Sequence, residues 1–309
     1  MHVFLTGGSG LTGPAVVTEL LGAGHSVTGL ARSDASAARL EALGARPHRG
    51  DLEDLDSLRS GAAAADGVIH MAFGGSFSDP DDLARRDSAA VDALGGALAG
   101  SGRPLVVTSG TFTMAAGHES VETDPADTGS LAHFRIPGER ACLSFAEHGV
   151  RASVVRLAPT VHGPGDIGFV PLMIQAARTA GFAGYVGDGA NRWPAVHRAD
   201  AAVLFRLALE HAPTGSALHG VAENLTLKSI AGKIAEKLAL PARSLGPEEA
   251  VAHFGSPFFA TAYATDAPAS GRLTRDLLNW SPRHPSLLQD LDEGDYFAAP
   301  TGATADRWA

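Results

Sequence analysis

The first thirteen residues, MHVFLTGGSGLTG, constrain the fold more than any other stretch. An apolar run, Val3 to Leu5, passes through Thr6 into glycines at Gly7, Gly10 and Gly13, and Pro14 to Leu21 then reads as an amphipathic helix. Strand, turn and helix in that order let one glycine make a tight turn, one admit a pyrophosphate against bare backbone, and one seat the helix on the strand. The pyrophosphate would rest on the helix N-terminus, where free N–H groups and the dipole favour negative charge. A glycine turn alone is weak evidence, so the weight falls on the elements downstream of it.

Those elements alternate short β-like runs with helical patterns, the signature of a parallel sheet with crossover helices. The second strand, His25 to Ala31, ends in Arg32, Ser33 and Asp34. An acid at that tip would bond the ribose 2′-hydroxyl of NAD(H), whereas an Arg suits a 2′-phosphate. Arg32 with Ser33 therefore favours NADP(H), and Asp34 keeps NAD(H) open. A third strand near Ala45 to Arg49 leads into Asp51, placed either to accept from an adenine amino group or to cap the helix starting near Asp54. Strand four, Gly67 to Met71, and strand five, Pro104 to Thr108, end in Ala72-Phe73 and Ser109-Gly110-Thr111, on the carboxyl edge where such sheets bind ligands.

Composition narrows the function classes. The chain has 309 residues, 45% of them hydrophobic, enough for a large core in one extended domain or two lobes. A formal net charge of −10 with no basic block argues against nucleic acid or an anionic membrane surface as partner. The first strand begins at the initiator Met and no apolar run is long enough to span a bilayer, so a cytoplasmic location is expected. Cys142, the single cysteine, falls in a helical pattern and reads as a small core residue. No metal is expected, because the histidines lack ligand spacing and one cysteine makes no zinc framework. Gly-x-Ser-x-Gly and Gly-Lys-Ser/Thr are both missing, which removes the serine-hydrolase elbow and the P-loop.

TGGSGLTG, GDLED after strand three, VIHMA at strand four and VVTSGTF at strand five together resemble the short-chain dehydrogenase/reductase superfamily. RLAPTVHGPGD from Arg156 and RWPAVHRADAA from Arg192 resemble its NAD-dependent epimerase/dehydratase branch, and the likeness covers nearly the whole chain. The resemblance implies an α/β fold: a doubly wound Rossmann sheet with a smaller C-terminal α/β substrate lobe. It also implies that Gly7, Gly10, Leu11 and Gly13 hold the pyrophosphate, Asp51 and Leu52 the adenine, and Ala72 and Phe73 the nicotinamide side, with Pro159 and Val161 bordering that pocket.

Departures from the family pattern decide the chemistry. The usual Tyr followed four residues later by Lys is absent: Lys228, Lys233 and Lys237 lie far down the chain, and Tyr185, Tyr263 and Tyr296 have no Lys at that spacing. Counting back from the sixth strand places the pair on Leu131 and Arg135 with a one-residue gap, or on Ser130 and Phe134 without it. Arg135 can replace the Lys as a fixed positive charge near the ribose, whereas Leu131 transfers no proton. Ser109 and Thr111 flank the place of the family's catalytic Ser, as hydroxyls for the reacting atom or as turn and capping groups. His133, His162 and His118 are candidate proton sources, and His197 in PAVHRAD reads as structural.

The expected division puts 1–163 and about 190–222 in the dinucleotide core, about 164–189 and 223–298 in the substrate lobe, and 299–309 in a flexible tail apart from Trp308. Within the second lobe the pattern predicts helices over Phe169 to Thr179, Thr226 to Leu240, Pro247 to Phe254 and Leu287 to Phe297, and a helix over Ala195 to His211 is expected to return to the Rossmann core. Phe77, Phe112, Met114, Phe169, Tyr185 and Trp193 gather on segments expected to face the nicotinamide; their alternative is ordinary core. Few basic groups accompany them, which favours a hydrophobic or aromatic carbonyl or imine over a sugar nucleotide. The sequence therefore predicts an NADP(H)-dependent reductase of a small molecule, with a homodimer left open. The competing readings are an NADP(H)-binding sensor or scaffold without turnover, and a sugar-nucleotide epimerase or dehydratase.

Overall fold

A computed structural model describes residues 1–74 and 79–298. Phe77 and the segment 299–309 lie outside the described residues.

In chain order the first half comprises β1 (His2–Thr6), α1 (Gly13–Gly22), β2 (Ser26–Ala31), α2 (Asp34–Ala42), β3 (Arg46–Arg49), α3 (Leu55–Ala63), β4 (Gly67–His70), α4 (Pro80–Leu98) and β5 (Pro104–Gly110). Then come α5 (Ile136–Ser144), β6 (Arg151–Leu157), β7 (Thr160–His162), α6 (Phe169–Ala180), β8 (Ala183–Val186), β9 (Arg192–His197), α7 (Arg198–His211) and β10 (Ser216–Gly220). The chain closes with β11 (Glu223–Thr226), α8 (Leu227–Leu238), β12 (Ala242–Leu245), α9 (Pro247–Phe254), α10 (Pro257–Ala264), α11 (Arg272–Leu278) and α12 (Leu287–Glu293).

Seven parallel strands form the main sheet in the order β10-β6-β5-β4-β1-β2-β3. The order reverses direction between β1 and β4, which opens a crevice at their carboxyl ends. The inner strands are apolar on both faces: Val3, Phe4, Leu5, Val68, Ile69, Leu105 and Val106 are fully buried, as strands with helices on both sides must be. Cys142 is fully buried on α5, as expected of a core residue.

A separate apolar cluster gathers Val170, Met173 and Ile174 of α6 with Trp193 of β9, Ile230 and Ile234 of α8, Tyr263, Leu287 and Leu291. Two small sheets serve it, β11-β9-β7 and β12-β8. Here the helix expected over Ala195 to His211 is corrected: Arg192–His197 is a strand and the helix begins at Arg198. Pro194 disfavours helical backbone at Trp193, and His197 caps α7 by accepting from Ala199 N–H at 3.1 Å. The Gly- and Pro-punctuated stretch before Trp280 contains α10 and α11, and the last helix stops at Glu293, before Gly294. Among the described residues no helix is long and apolar enough to cross a membrane.

Candidate functional site

The glycine turn lies where β1 and β4 end side by side. Gly7 has φ +75°, and a Cβ there would sit 2.7 Å from Ala72 N, so backbone meets backbone at the floor of the crevice. A Cβ on Gly13 would fall 2.1 Å from Gly7 O, which is the close seating of α1 that the sequence called for. Gly10 differs: its N–H bonds Gly7 O at 3.0 Å, and a Cβ would meet that oxygen alone, at 3.2 Å. The open side of Gly10 and the N-terminus of α1, which has no side-chain cap, together fit an anionic diphosphate. Gly8, outside the spacing of the other three, also has little room: a Cβ there would sit 2.9 Å from Leu40 Cδ2.

At the tip of β2, Arg32 is exposed and makes no hydrogen bond or ion pair among the described residues. Asp34 pairs with Arg49 at 2.6 Å. Ser33 caps α2, its hydroxyl accepting from Ser36 N–H at 3.2 Å. Asp51 does not cap α3: Asp54 does, while Asp51 Oδ1 accepts from the N–H groups of Glu53 and Asp54 at 2.8 and 3.1 Å. That turn presents Asp51 and half-buried Leu52 just past β3.

Phe73 follows β4, and the Arg135 guanidinium lies 3.8 Å from its ring centroid. Arg135 forms the N-cap of α5, with its side chain 14% exposed and Nη1 3.9 Å from Asp87 Oδ1. Burial lowers its pKa, Asp87 and Glu139 oppose that, and a guanidinium keeps its charge throughout. Ser109 and Thr111 are buried at the carboxyl end of β5, and neither hydroxyl has a partner among the described residues. Ser130 is in the same condition. The segment 130–132 is laced to this edge by Ala132 N–H donating to Phe112 O at 3.2 Å, with Leu131 half-buried beside it. Pro159 is half-buried at the bend between β6 and β7, and Val161 is buried in β7.

Two of the three tyrosines are engaged away from the crevice. The Tyr263 hydroxyl donates to Phe169 O and that of Tyr296 to Asp166, and burial pushes both pKa values up. His133 is exposed, its Nδ1 at 3.1 Å from Ser130 O. His118 is exposed beside a cavity of about 500 Å³ that Met114 and Arg140 also line. His162 is 1% exposed, with Nδ1 2.7 Å from Asp290 of α12. The aromatic residues divide too. Trp193 is 1% exposed, donates from Nε1 to Thr265 O, and meets Phe112 and Phe169 edge-on at 5.1 and 5.2 Å. That places Trp193 and Phe112 in the second core. Phe169 and Tyr185 are half-buried, with the Lys228 ammonium 5.7 Å over the Tyr185 ring, and Met114 is buried.

His162 is the buried end of a cluster that long sequence separation conceals and that reaches the surface at His284. His197 meets it edge-on at 5.3 Å and stacks on His284 at 4.8 Å. His197, Asp200 and His284 could offer a metal ion ligand atoms within 4.8 Å of one another, yet Asp200 already accepts from the N–H groups of Arg283 and His284 and faces His284 Nδ1. Burial lowers the His197 pKa, and His162 and His284 add to that while Asp290 and Asp200 oppose it. An unfolded chain takes up this proton near the ordinary 6.5 and the folded chain only at lower pH, so the contribution of His197 is complete above about 6.5 and lost as pH falls. The urea midpoint should therefore drop between pH 7 and pH 5, and drop less in His197→Gln; equal slopes would remove His197 from the acid limb.

A parallel sheet in this order, with a glycine turn and an uncapped helix at its switch point, defines a dinucleotide-binding enzyme of the Rossmann class. The chain belongs to the NAD dependent epimerase/dehydratase family, which it matches over residues 3–219, and it is an NAD(P)-dependent enzyme of the short-chain dehydrogenase/reductase type. An uncharacterised protein of Schizosaccharomyces pombe is 45% identical over 298 residues, 96% of this chain and all of that one. A 2-alkyl-3-oxoalkanoate reductase of Stenotrophomonas maltophilia is 30% identical over 72% of this chain and 69% of its own length. Among solved structures, the dTDP-glucose 4,6-dehydratase DesIV of Streptomyces venezuelae with NAD bound superposes with a TM-score of 0.77 at 18% identity, covering 96% of this chain and 97% of that one.

Proposed function

We propose that the protein is an NADP(H)-dependent oxidoreductase that reduces a C=O or C=N group of a hydrophobic or aromatic small molecule, with Arg135 and small hydroxyls in place of the tyrosine–lysine pair. The observation that carries this reading is the placement of Arg135, a permanent cation stacked on Phe73 at the carboxyl edge, with Leu131 four residues before it where the family's tyrosine would stand. The name of the Stenotrophomonas relative supports a reductase over an epimerase.

Each role comes from the residue's own chemistry. The turn Gly7 to Gly13, with Leu11 on it, and the α1 N-terminus would hold the diphosphate, while Asp51 and Leu52 border the adenine. Arg32, without a partner among the described residues, and Ser33 would take the 2′-phosphate, with Asp34 held away by Arg49. Arg135 would bind the nicotinamide ribose beside Ala72 and Phe73, with Pro159 and Val161 behind the ring. The bound cofactor supplies the hydride. Ser109 and Thr111, donors without acceptors, would hold the substrate's oxygen or nitrogen against Phe169, Tyr185 and Met114. An iminium substrate needs no proton; a ketone would draw one from His133, which is exposed, ahead of His162, whose Nδ1 is engaged by Asp290.

Fluorescence titration checks the cofactor assignment. Wild type should bind NADPH more tightly than NADH, and Arg32→Ala should weaken NADPH about tenfold while leaving NADH unchanged, the worth of one charge-assisted contact. Equal affinities for the two dinucleotides would refute the assignment to NADP(H). Incubation with NADPH and a panel of cyclic imines and aryl ketones tests turnover, and tight cofactor binding with no panel member reduced would favour a sensor.

A further inference from the structure

Thr6 closes β1, and its Oγ1 accepts from the N–H groups of Met71 and Ala72 at 3.2 and 3.1 Å. Its own proton is then directed to His70 Nδ1, 2.8 Å away. With Nδ1 accepting, a neutral imidazole carries its proton on Nε2, which faces Asp87 Oδ1 at 3.3 Å. His70 and Asp87 are 1% and 3% exposed. The carboxylate of Asp87, on α4, packs against the first turn of α5, where a Cβ on Gly138 would fall 2.1 Å from Asp87 Oδ2, and a helix N-terminus favours negative charge there. Asp87 in turn pairs with Arg135, its Oδ1 3.9 Å from the guanidinium Nη1.

We propose that Thr6, His70 and Asp87 are positioning residues for Arg135: they fix the guanidinium over Phe73 and couple it to the glycine turn, so that the two halves of the dinucleotide meet one rigid frame. This rests on the proposed function. Thr6 sets the tautomer, His70 orients the carboxylate, and the carboxylate holds the cation, with Gly138 leaving room for it. A buried cation on an arginine's long chain needs such an anchor, because loose rotamers dilute the geometry that binds ribose.

A double-mutant cycle read by dinucleotide affinity tests the relay. Asp87→Asn should weaken NADPH binding about tenfold, while affinity for adenosine 2′,5′-bisphosphate, which lacks the nicotinamide half, stays unchanged. In an Arg135→Met background Asp87→Asn should have no further effect on NADPH. His70→Gln, which can still donate to Asp87 from the Nε2 position but loses Thr6, should fall between wild type and Asp87→Asn, and it carries the cycle if Asp87→Asn does not fold. Additive losses, or an equal loss of the bisphosphate, overturn the relay while leaving the cofactor reading intact. A wild-type chain that binds neither dinucleotide overturns both.

Discussion

Gly13→Val is expected to abolish dinucleotide binding and to lower thermal stability. The atoms in its way are backbone: a Cβ at this position would fall 2.1 Å from Gly7 O and 2.6 Å from Gly8 C and Cα, and none of these can swing aside as a side chain would. The α1 helix must move off the turn, yet its inner face is seated on Val3 and Leu5 through Val16, Val17 and Leu20, all fully buried. Strain and lost packing of this kind cost about 1–3 kcal/mol, and the N–H groups aimed at the diphosphate are displaced together. NADPH affinity should fall at least about a hundredfold, the loss of two charge-assisted contacts. Gly10→Ala separates the two effects. Its Cβ meets Gly7 O at 3.2 Å and nothing else, so the melting temperature should stay near wild type while affinity falls. Wild-type NADPH affinity in both variants would move the phosphate site away from this turn.

Much of the fold was legible because its signals are local. The glycine spacing, the apolar runs and the residues at their carboxyl ends lie within a few positions of each other, and the seven-stranded parallel sheet is built from them. The helix assignment that needed correction sits where the two cores join: Trp193 and Ala195 of β9 pack into the second core, while Val196 and the α7 that follows pack against the main sheet. Pro194 disfavours helical backbone only at Trp193 and is itself compatible with a helix start, so nothing local showed that Ala195 to His197 still belong to a strand, whereas Ser256 before Pro257 marked the start of α10. At the site, Arg135 was reachable by counting, since it stands in for a residue of known spacing. Asp87 and His70 were not, because α4 and β4 meet only through the tertiary fold and an acid on a helix ordinarily reads as solvated. Trp193 shows the reverse case: an aromatic residue on a segment near the site is core, since its indole N–H finds a carbonyl within the second cluster.

The largest stability effect should come from Glu139, one turn along α5 from Arg135. Its carboxylate accepts from Arg156 Nε at 3.1 and 3.2 Å and from Nη2 as well, and both side chains are 3–4% exposed. Arg156 is a buried cation next to the carboxyl end of β6, between apolar Val155 and Leu157, and its Nη1 also donates to Asp124 O at 3.3 Å. Glu139→Ala removes its counter-charge and leaves it stranded in the core, a loss of about 3–5 kcal/mol. Urea denaturation should show a lower midpoint with an unchanged slope, because compactness is not what fails. Replacing both partners, Glu139→Leu with Arg156→Met, removes the buried charge entirely and should recover most of the loss, since a buried pair exchanged for apolar residues is close to neutral. If the double variant is as unstable as Glu139→Ala, packing rather than charge governs the site. The functional consequence comes from the geometry of α5: Glu139 fixes the helix to β6, and Arg135 is the cap of that same helix. The recovered double variant should therefore also recover NADPH affinity, whereas Glu139→Ala should lose it together with its stability.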